Sequence, residues 1–168
     1  MRYLVRQQLF SLAANFWITD EAGNEVFLVD GHALQFRKTF ELKDPSGAVL
    51  AMIRQQLFQF RAAMDIERDG AVIATVRSVP FSLKNRYQVT LADGSVLEAN
   101  GSFTDMNWEL TRADGQVAAR ISRQWFKVRD TYGVEVGQGE DAPLVIAIAV
   151  CIDRLRELRR RRIAAASG

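Results

Sequence analysis

The side chains that could carry out chemistry are few in this sequence. Cys151 is the only cysteine and His32 the only histidine, so a Cys/His pair or a zinc tetrad cannot be assembled from them. Most carboxylates that could act as general acids or bases lie in Asp-Gly or Asp-x-x-Gly segments, where turn formation already explains them. We therefore expect a protein that is not an enzyme, with no catalytic residue, no bound cofactor and no metal site.

One glycine motif points to a specific alternative. The segment Gly137-Gln-Gly-Glu-Asp-Ala142 matches the G-x-G-x-x-A form of the dinucleotide-binding fingerprint. Its context argues against nucleotide binding, because Glu140 and Asp141 would stand where a pyrophosphate must sit. We interpret the segment as a hinge between a strand and a helix.

The basic residues give the stronger functional lead. Residues 154–168 carry six arginines and one glutamate, a net charge of +5, whereas residues 1–153 have a net charge of −3. Basic residues beside aromatic ones suit anionic headgroups, because the charge attracts phosphate and Trp or Phe can enter the membrane interface. Ordinary solvated surface, nucleic-acid attraction and simple helix termination remain alternatives for these residues. The candidate contacts with an anionic ligand are Arg37, Lys38, Lys84, Arg86, Arg123, Lys127, Arg159, Arg160, Arg161 and Arg162.

Regularly spaced turns predict the elements that position these residues. Glycines at positions 23, 47, 70, 94 and 115 each close an Asp-containing turn, which is a hairpin signal. Between turns the apolar residues alternate with a period of two, as in residues 58–66 and 87–91. The pattern predicts ten to twelve antiparallel strands, and a sheet of that size is expected to curl and close.

A charge-free run near the end of the chain predicts what fills the barrel. Residues 142–152 contain no charged side chain, so a helix there is apolar on every side and must be enclosed. At about 1.5 Å per residue the run is roughly 16 Å long, which is short for a membrane span. We predict a mainly β fold in which about twelve antiparallel strands close around one hydrophobic helix. The predicted core residues of this helix are Leu144, Ile146, Ile148, Val150 and Ile152.

The same run sets the predicted boundaries. We place the helix at about residues 142–160 with Asp141 as its N-cap, and we expect it to emerge into solvent from Asp153 onward, where charged residues begin. One domain is predicted over residues 1–162, followed by a flexible tail over 163–168. Cys151 lies inside the apolar run and is expected to be buried.

Three segments together resemble a known family. They are residues 16–27 with Gly31, residues 122–126 with 130–136, and the end of the apolar helix at residues 152–155. In order and spacing they are similar to LURP-one-related proteins, of the tubby C-terminal-like superfamily that also includes phospholipid scramblases. The resemblance implies a twelve-stranded closed barrel around a C-terminal hydrophobic helix. It also implies membrane-related roles: tubby-type domains bind phosphoinositides through basic surface residues, although no individual lipid contact can be carried over to this chain.

These observations lead to one functional expectation and two alternatives. We expect a cytoplasmic module, peripheral at the membrane, that binds anionic phospholipid headgroups. The first alternative is a protein-interaction or scaffold domain without lipid activity, and the second is a phospholipid scramblase-like membrane protein. We expect no transmembrane span and no nucleic-acid partner, because the body of the chain is mildly acidic. A single cysteine also fits a reducing compartment.

Overall fold

A computed structural model describes residues 1–6, 15–32, 39–56, 61–79, 85–102, 107–122 and 131–168. Within these ranges the chain forms twelve β-strands followed by one α-helix. The elements are β1 (Arg2–Arg6), β2 (Phe16–Asp20), β3 (Glu25–His32), β4 (Thr39–Lys43), β5 (Val49–Gln55), β6 (Ala63–Arg68), β7 (Ala71–Ser78), β8 (Asn85–Leu91), β9 (Val96–Ser102), β10 (Asn107–Arg112), β11 (Val117–Ser122), β12 (Thr131–Val136) and α1 (Ala142–Ala166).

The strands form a closed antiparallel barrel, which confirms the predicted fold class. Each strand pairs with the next one along the chain, and β1 pairs with β12 in a register that runs from Arg2 opposite Glu135 to Arg6 opposite Thr131. Closure leaves no open sheet edge among the described strands. Alternate residues of each strand face inward, and these inward side chains form one continuous apolar core with the helix.

The repeated glycines lie in the turns that the spacing predicts. All five have positive φ values, from 79° at Gly70 to 88° at Gly47, a conformation that glycine adopts without steric cost. An Asp carboxylate caps several of these turns, as where Asp44 accepts hydrogen bonds from the backbone N–H groups of Ser46 and Ala48 at 2.9 and 3.0 Å. These turns join each even-numbered strand to the next odd-numbered one, so they share one end of the barrel.

The helix begins at the same end and runs through the barrel. Asp141 caps it by accepting a hydrogen bond from the backbone N–H of Leu144 at 3.1 Å, and a proline lies in its first turn. Residues 145–155 are buried without interruption, while Leu144 is half-buried against the core. The helix lies closest to β5, β6, β7 and β12.

The structure corrects two predicted boundaries of the helix. Asp153 and Arg154 are buried, so the predicted emergence at Asp153 is wrong; the first exposed helix residue is Arg159. The barrel wall still encloses the helix after residue 152, where its sequence changes from apolar to charged. The change in sequence therefore does not mark the point at which the helix leaves the barrel. The helix also continues to Ala166 instead of ending at about residue 160, because residues 163–166 include strong helix formers and no Gly or Pro.

Two bidentate ion pairs fix the segment that leads into the helix. Arg68 at the end of β6 donates to both carboxylate oxygens of Asp141, at 2.6 and 3.2 Å. Arg112 at the end of β10 binds Glu140 in the same way, at 2.6 and 3.1 Å. Because β12 pairs antiparallel with β1 and β11, the segment does not belong to the parallel unit of a dinucleotide fold. It is a clamped connection between strand and helix.

Enclosure of the helix makes a direct prediction. Ile148 is fully buried, so Ile148→Asp places an unpaired charge in the core and should abolish soluble folding. Ile148→Val should fold and lose about 1 kcal/mol of unfolding free energy. The matched control is Ile163→Asp, the same change at a position 58% exposed on the same helix, which should leave the thermal midpoint nearly unchanged. Circular dichroism melts of the soluble fractions measure this, and equal midpoints for the two Asp variants would contradict the enclosed helix.

The Asp141 clamp predicts a pH dependence of stability. Hydrogen bonding to Arg68 lowers the pKa of Asp141 below its usual value of 3.8, so its contribution is present above about pH 4 and is lost as the pH falls through the folded-state pKa. The Asn side chain can still cap the helix. Asp141→Asn should therefore abolish the acid dependence that Asp141 causes and lower the unfolding free energy by at most about 1 kcal/mol. Asp141→Ala should lose about 1 kcal/mol more, because the cap is lost as well. Urea unfolding between pH 2.5 and 7 tests this; an Asn variant with the acid sensitivity of the parent would contradict it.

Candidate anion-binding surface

Five of the ten predicted anion contacts lie among the residues that the structure describes, and five do not. Arg37, Lys38, Lys84, Arg123 and Lys127 lie outside the described residues. The described candidates are Arg86 on β8 and the consecutive arginines Arg159, Arg160, Arg161 and Arg162 on α1.

Arg86 is the second residue of β8 and faces outward. Its Nε donates to Asn100 Oδ1 at 2.8 Å and its Nη2 donates to Glu98 Oε2 at 2.7 Å. Similar cross-strand pairs occur elsewhere on the outer wall, such as Arg120 with Glu109 at 3.1 Å. The charge of Arg86 is therefore partly balanced within the sheet.

Arg159 to Arg162 lie on the part of α1 that continues beyond the barrel, and all four are exposed. Glu157 binds two of them, Arg160 at 2.9 Å and Arg161 at 2.8 Å. One carboxylate thus faces two arginines, and the segment keeps an excess of positive charge. The helix carries this charge away from the barrel.

Aromatic side chains surround the helix where it leaves the barrel. Tyr87, Trp108 and Tyr132 are buried near the starts of β8, β10 and β12, and the rings of Tyr87 and Trp108 are 5.2 Å apart. A cavity of about 10 Å³ lies between Trp108, Tyr132 and Asp153, and Arg156 approaches Asp153 at 4.0 Å. Gly101, opposite Trp108, leaves room for the indole, because a Cβ there would lie 2.6 Å from the ring.

The protonation of these groups limits what chemistry they can perform. Burial raises the pKa of Tyr87 to about 12, although the charges of Arg159 and Arg156 oppose the shift. Burial also raises the pKa of the Tyr132 phenol well above 10.0 and that of the Cys151 thiol. At neutral pH all three keep their protons and offer neither a base nor an anionic nucleophile. Within the described ranges, no three His, Cys, Asp or Glu residues are grouped as metal ligands.

A larger depression of about 240 Å³ lies on the outer wall over β9, β10 and β11. Its polar lining is internally bonded: Arg120 pairs with Glu109, and Ser122 makes a short hydrogen bond to Asn107. Because its charged groups satisfy one another, it has no excess charge to recruit an ion. Neither this depression nor the group of Tyr87, Trp108 and Tyr132 at the helix exit could be predicted from the sequence. Both depend on which strands become neighbours.

The two ends of the barrel differ in charge. We call residues 20–24, 44–48, 69–70, 92–95, 113–116 and 137–141 the glycine-turn rim; these connections contain eight carboxylates and no lysine or arginine. Asp141 and Glu140 are bound by the guanidiniums of Arg68 and Arg112, and Glu21 lies 3.9 Å from Arg2. We call the opposite end, where α1 leaves the barrel, the helix-exit rim; from residue 154 onward the helix has six arginines and one glutamate. The molecule is acidic at one end and basic at the other.

Comparison with known proteins shows which family has a sequence like that of this barrel and helix. Residues 1–153 match the LURP-one-related family over the barrel and the buried part of the helix. The chain belongs to the LURP-one-related family. The match ends at Asp153, so the arginines of the helix extension lie outside the matched residues.

Two relatives of this LURP-one-related protein span most of its length. The Uncharacterized protein YxjI of Bacillus subtilis (strain 168) is 28% identical over 151 residues, which cover 89% of this chain and 90% of the relative. Protein LURP-one-related 14 of Arabidopsis thaliana is 22% identical over 171 residues, which cover 91% of this chain and 83% of the relative. Neither name states a ligand or an activity.

The expectation of no transmembrane span concerns helix α1. Among the residues that the structure describes, no helix of this LURP-one-related protein has both the length and the apolar character needed to cross a bilayer.

The buried phenols predict how stability changes at alkaline pH. Because folding raises the pKa values of Tyr87 and Tyr132 above 10.0, their contribution is complete below pH 10 and is lost as the pH rises through the folded-state values. Each phenol adds a slope of up to about 1.4 kcal/mol per pH unit. Tyr132→Phe breaks no hydrogen bond among the described residues, so it should fold and lose stability less steeply between pH 10 and 12. Urea unfolding across that range measures the slope, and an unchanged slope would contradict the assignment.

Proposed function

We propose that this LURP-one-related protein is a non-enzymatic module that binds anionic phospholipid headgroups at a membrane surface through the exposed arginines of α1. The observation that carries the proposal is the separation of charge along the barrel, with Arg159 to Arg162 projecting at the basic end and the acidic turns at the other. The buried phenols and thiol support the non-enzymatic part, because none of them is poised to lose a proton near neutral pH.

The helix extension has the composition of an interfacial segment. Four consecutive arginines point to different sides of the helix, since successive residues are about 100° apart. Ile163 follows them and is 58% exposed, so an apolar side chain accompanies the charges. A basic residue near an anionic membrane contributes about 1 kcal/mol. Arg159 and Arg162, three residues apart, share one side of the helix and together would give about 2 kcal/mol, whereas Arg160 and Arg161 already pair with Glu157.

The acidic end need not oppose this binding. Strands of five to eight residues at about 3.3 Å per residue separate the two rims by roughly 20 Å. The Debye length at physiological ionic strength is about 8 Å. With the helix-exit rim toward the membrane, repulsion between the glycine-turn rim and the headgroups is therefore largely screened. The charge separation favours one orientation and disfavours the inverted one.

The alternatives use the same surface differently. A protein-interaction domain would apply the basic end to an acidic protein and ignore lipid. A scramblase-like protein would have to perturb the bilayer and move lipid between leaflets, which requires more than surface attraction. Lipid binding, protein capture and leaflet exchange are separate measurements, so the alternatives can be told apart.

Vesicle co-sedimentation tests the proposal. Binding should rise with the fraction of phosphatidylserine in phosphatidylcholine vesicles and fall as salt is raised from 50 to 500 mM, because salt screens the attraction. Arg159→Gln/Arg162→Gln should weaken partitioning by about tenfold or more, at roughly 1 kcal/mol per charge. Gln is as good a helix former as Arg, so the helix should persist.

The matched control is Arg2→Gln/Arg120→Gln, which removes two charges from the outer wall. Arg2 lies near Glu135 at 3.5 Å and Arg120 near Glu109 at 3.1 Å, so these cations are already engaged and partitioning should change by less than about threefold. Absence of binding by the parent protein at 50 mM salt would overturn the proposed function.

A further inference from the structure

The outer wall near the helix exit carries two arginines that differ from the others. Arg77 on β7 and Arg61 just before β6 are both exposed. Among the described residues, neither forms a salt bridge or a side-chain hydrogen bond, whereas Arg54, Arg68 and Arg112 each approach a carboxylate within 3.1 Å. Because Arg61 and Arg77 have no partner among the described residues, they are candidates for binding a group outside the chain.

Strand register brings Arg77 to Arg86 and an exposed valine, and Arg61 lies two residues before Ala63, which pairs with Arg77. Arg77 lies opposite Gln88 of β8, and Arg86 is two residues from Gln88 on the same side of the strand, so Arg77 and Arg86 are diagonal neighbours roughly 7–8 Å apart. The backbone N–H of Val79 donates to the carbonyl of Arg86 at 2.9 Å. Val79 is 36% exposed. We call Arg61, Arg77, Arg86 and Val79 the wall patch.

Strand β8 connects the wall patch to the helix exit. Arg86 faces outward and the next residue, Tyr87, faces inward with 3% exposure. On the inner side, Arg156 and Arg159 of α1 lie close enough to Tyr87 to affect its ionisation. Basic residues thus lie on both sides of the start of one strand, and the wall patch and the helix extension can meet the same surface.

The chemistry of the wall patch suits lipid phosphate. Like charges on neighbouring positions repel one another, and an anion placed between them removes that cost. Guanidinium groups bind phosphate through paired hydrogen bonds, while an exposed aliphatic side chain gains free energy by entering the interface. Arginines around a valine therefore fit a headgroup layer better than a free anion, which makes no use of Val79.

We infer that the wall patch is a second membrane contact, so that the protein meets anionic phospholipid with the helix-exit rim and with the ends of β6, β7 and β8 that lie at this rim. The inference rests on the proposed function and adds to it which side of the barrel meets the lipid. It assigns a role to Arg61 and Arg77, for which the sequence offers no motif.

A position-specific label tests this orientation. Cys151 is buried, so Val79→Cys supplies one accessible thiol for an environment-sensitive fluorophore. On phosphatidylserine-containing vesicles at 50 mM salt, the label at position 79 should shift to the blue and gain intensity. Val72→Cys is the matched control, because Val72 is an exposed valine, at 46%, near the start of β7, whereas Val79 directly follows the end of that strand; the label at position 72 should not shift.

A charge variant adds a second readout. Arg61→Gln/Arg77→Gln should lower vesicle partitioning at least fivefold, whereas Arg2→Gln/Arg120→Gln removes the same charge and should have little effect. Vesicle binding with no shift at position 79, or with no loss in the Arg61/Arg77 variant, would overturn the inference and leave the proposed function intact. The inference would also be overturned if glycerophosphoserine or a DNA oligonucleotide shifted the fluorescence of the label at position 79 as much as the vesicles do. If the parent protein does not bind the vesicles at all, both the inference and the proposed function are overturned.

Discussion

The structure depends on the mutual enclosure of one helix and one closed sheet. Helix α1 is apolar on all sides over residues 142–152 and buried over residues 145–155, and its apolar part can exist in water only if it is surrounded. A twelve-stranded barrel has an interior that side chains from the strands alone do not fill. Helix α1 lies closest to β5, β6, β7 and β12, and the wall residues Ala51 and Ala74 on two of these strands are small. Tyr87 and Trp108 lie on β8 and β10, on which the helix packs less closely, and a cavity of about 10 Å³ remains between Ala149, Trp108 and Tyr132.

Local chemistry made most of this fold predictable. A glycine after an Asp needs only its immediate neighbours to form a turn, so the five repeated turns predicted the strands between them. The helix start was equally local, because Asp141 caps Leu144 only three residues away. The number of strands and the presence of an enclosed helix then followed from the period of the turns and from one charge-free run.

The candidate surface was harder to predict because it depends on register. Arg86 looked available in the sequence, yet its partners Glu98 and Asn100 come from the neighbouring strand. The change to charged residues predicts emergence from Asp153 onward, yet Asp153 and Arg154 are only 5% and 2% exposed, because the height of the wall determines where a helix emerges. Arg77 is far from any basic motif and comes next to Arg86 only when β7 and β8 pair, and Arg61 comes near Arg77 only when β6 pairs with β7. The basic helix extension was visible in the sequence because it is a local run.

Closure of the barrel has a consequence for how the protein is made. The first and last strands are joined at their ends by Met1 and Val136, which exchange backbone hydrogen bonds across a separation of 135 residues. Helix α1 follows all twelve strands in the chain, so a ribosome synthesises the central part of the core last. Until then the inward faces of the strands have nothing to pack on, and the final pairing must wait for a long-range encounter, which is slow. Folding therefore cannot be completed before α1 has been synthesised, and the nascent strands are an expected client for chaperones that shield apolar sheet faces.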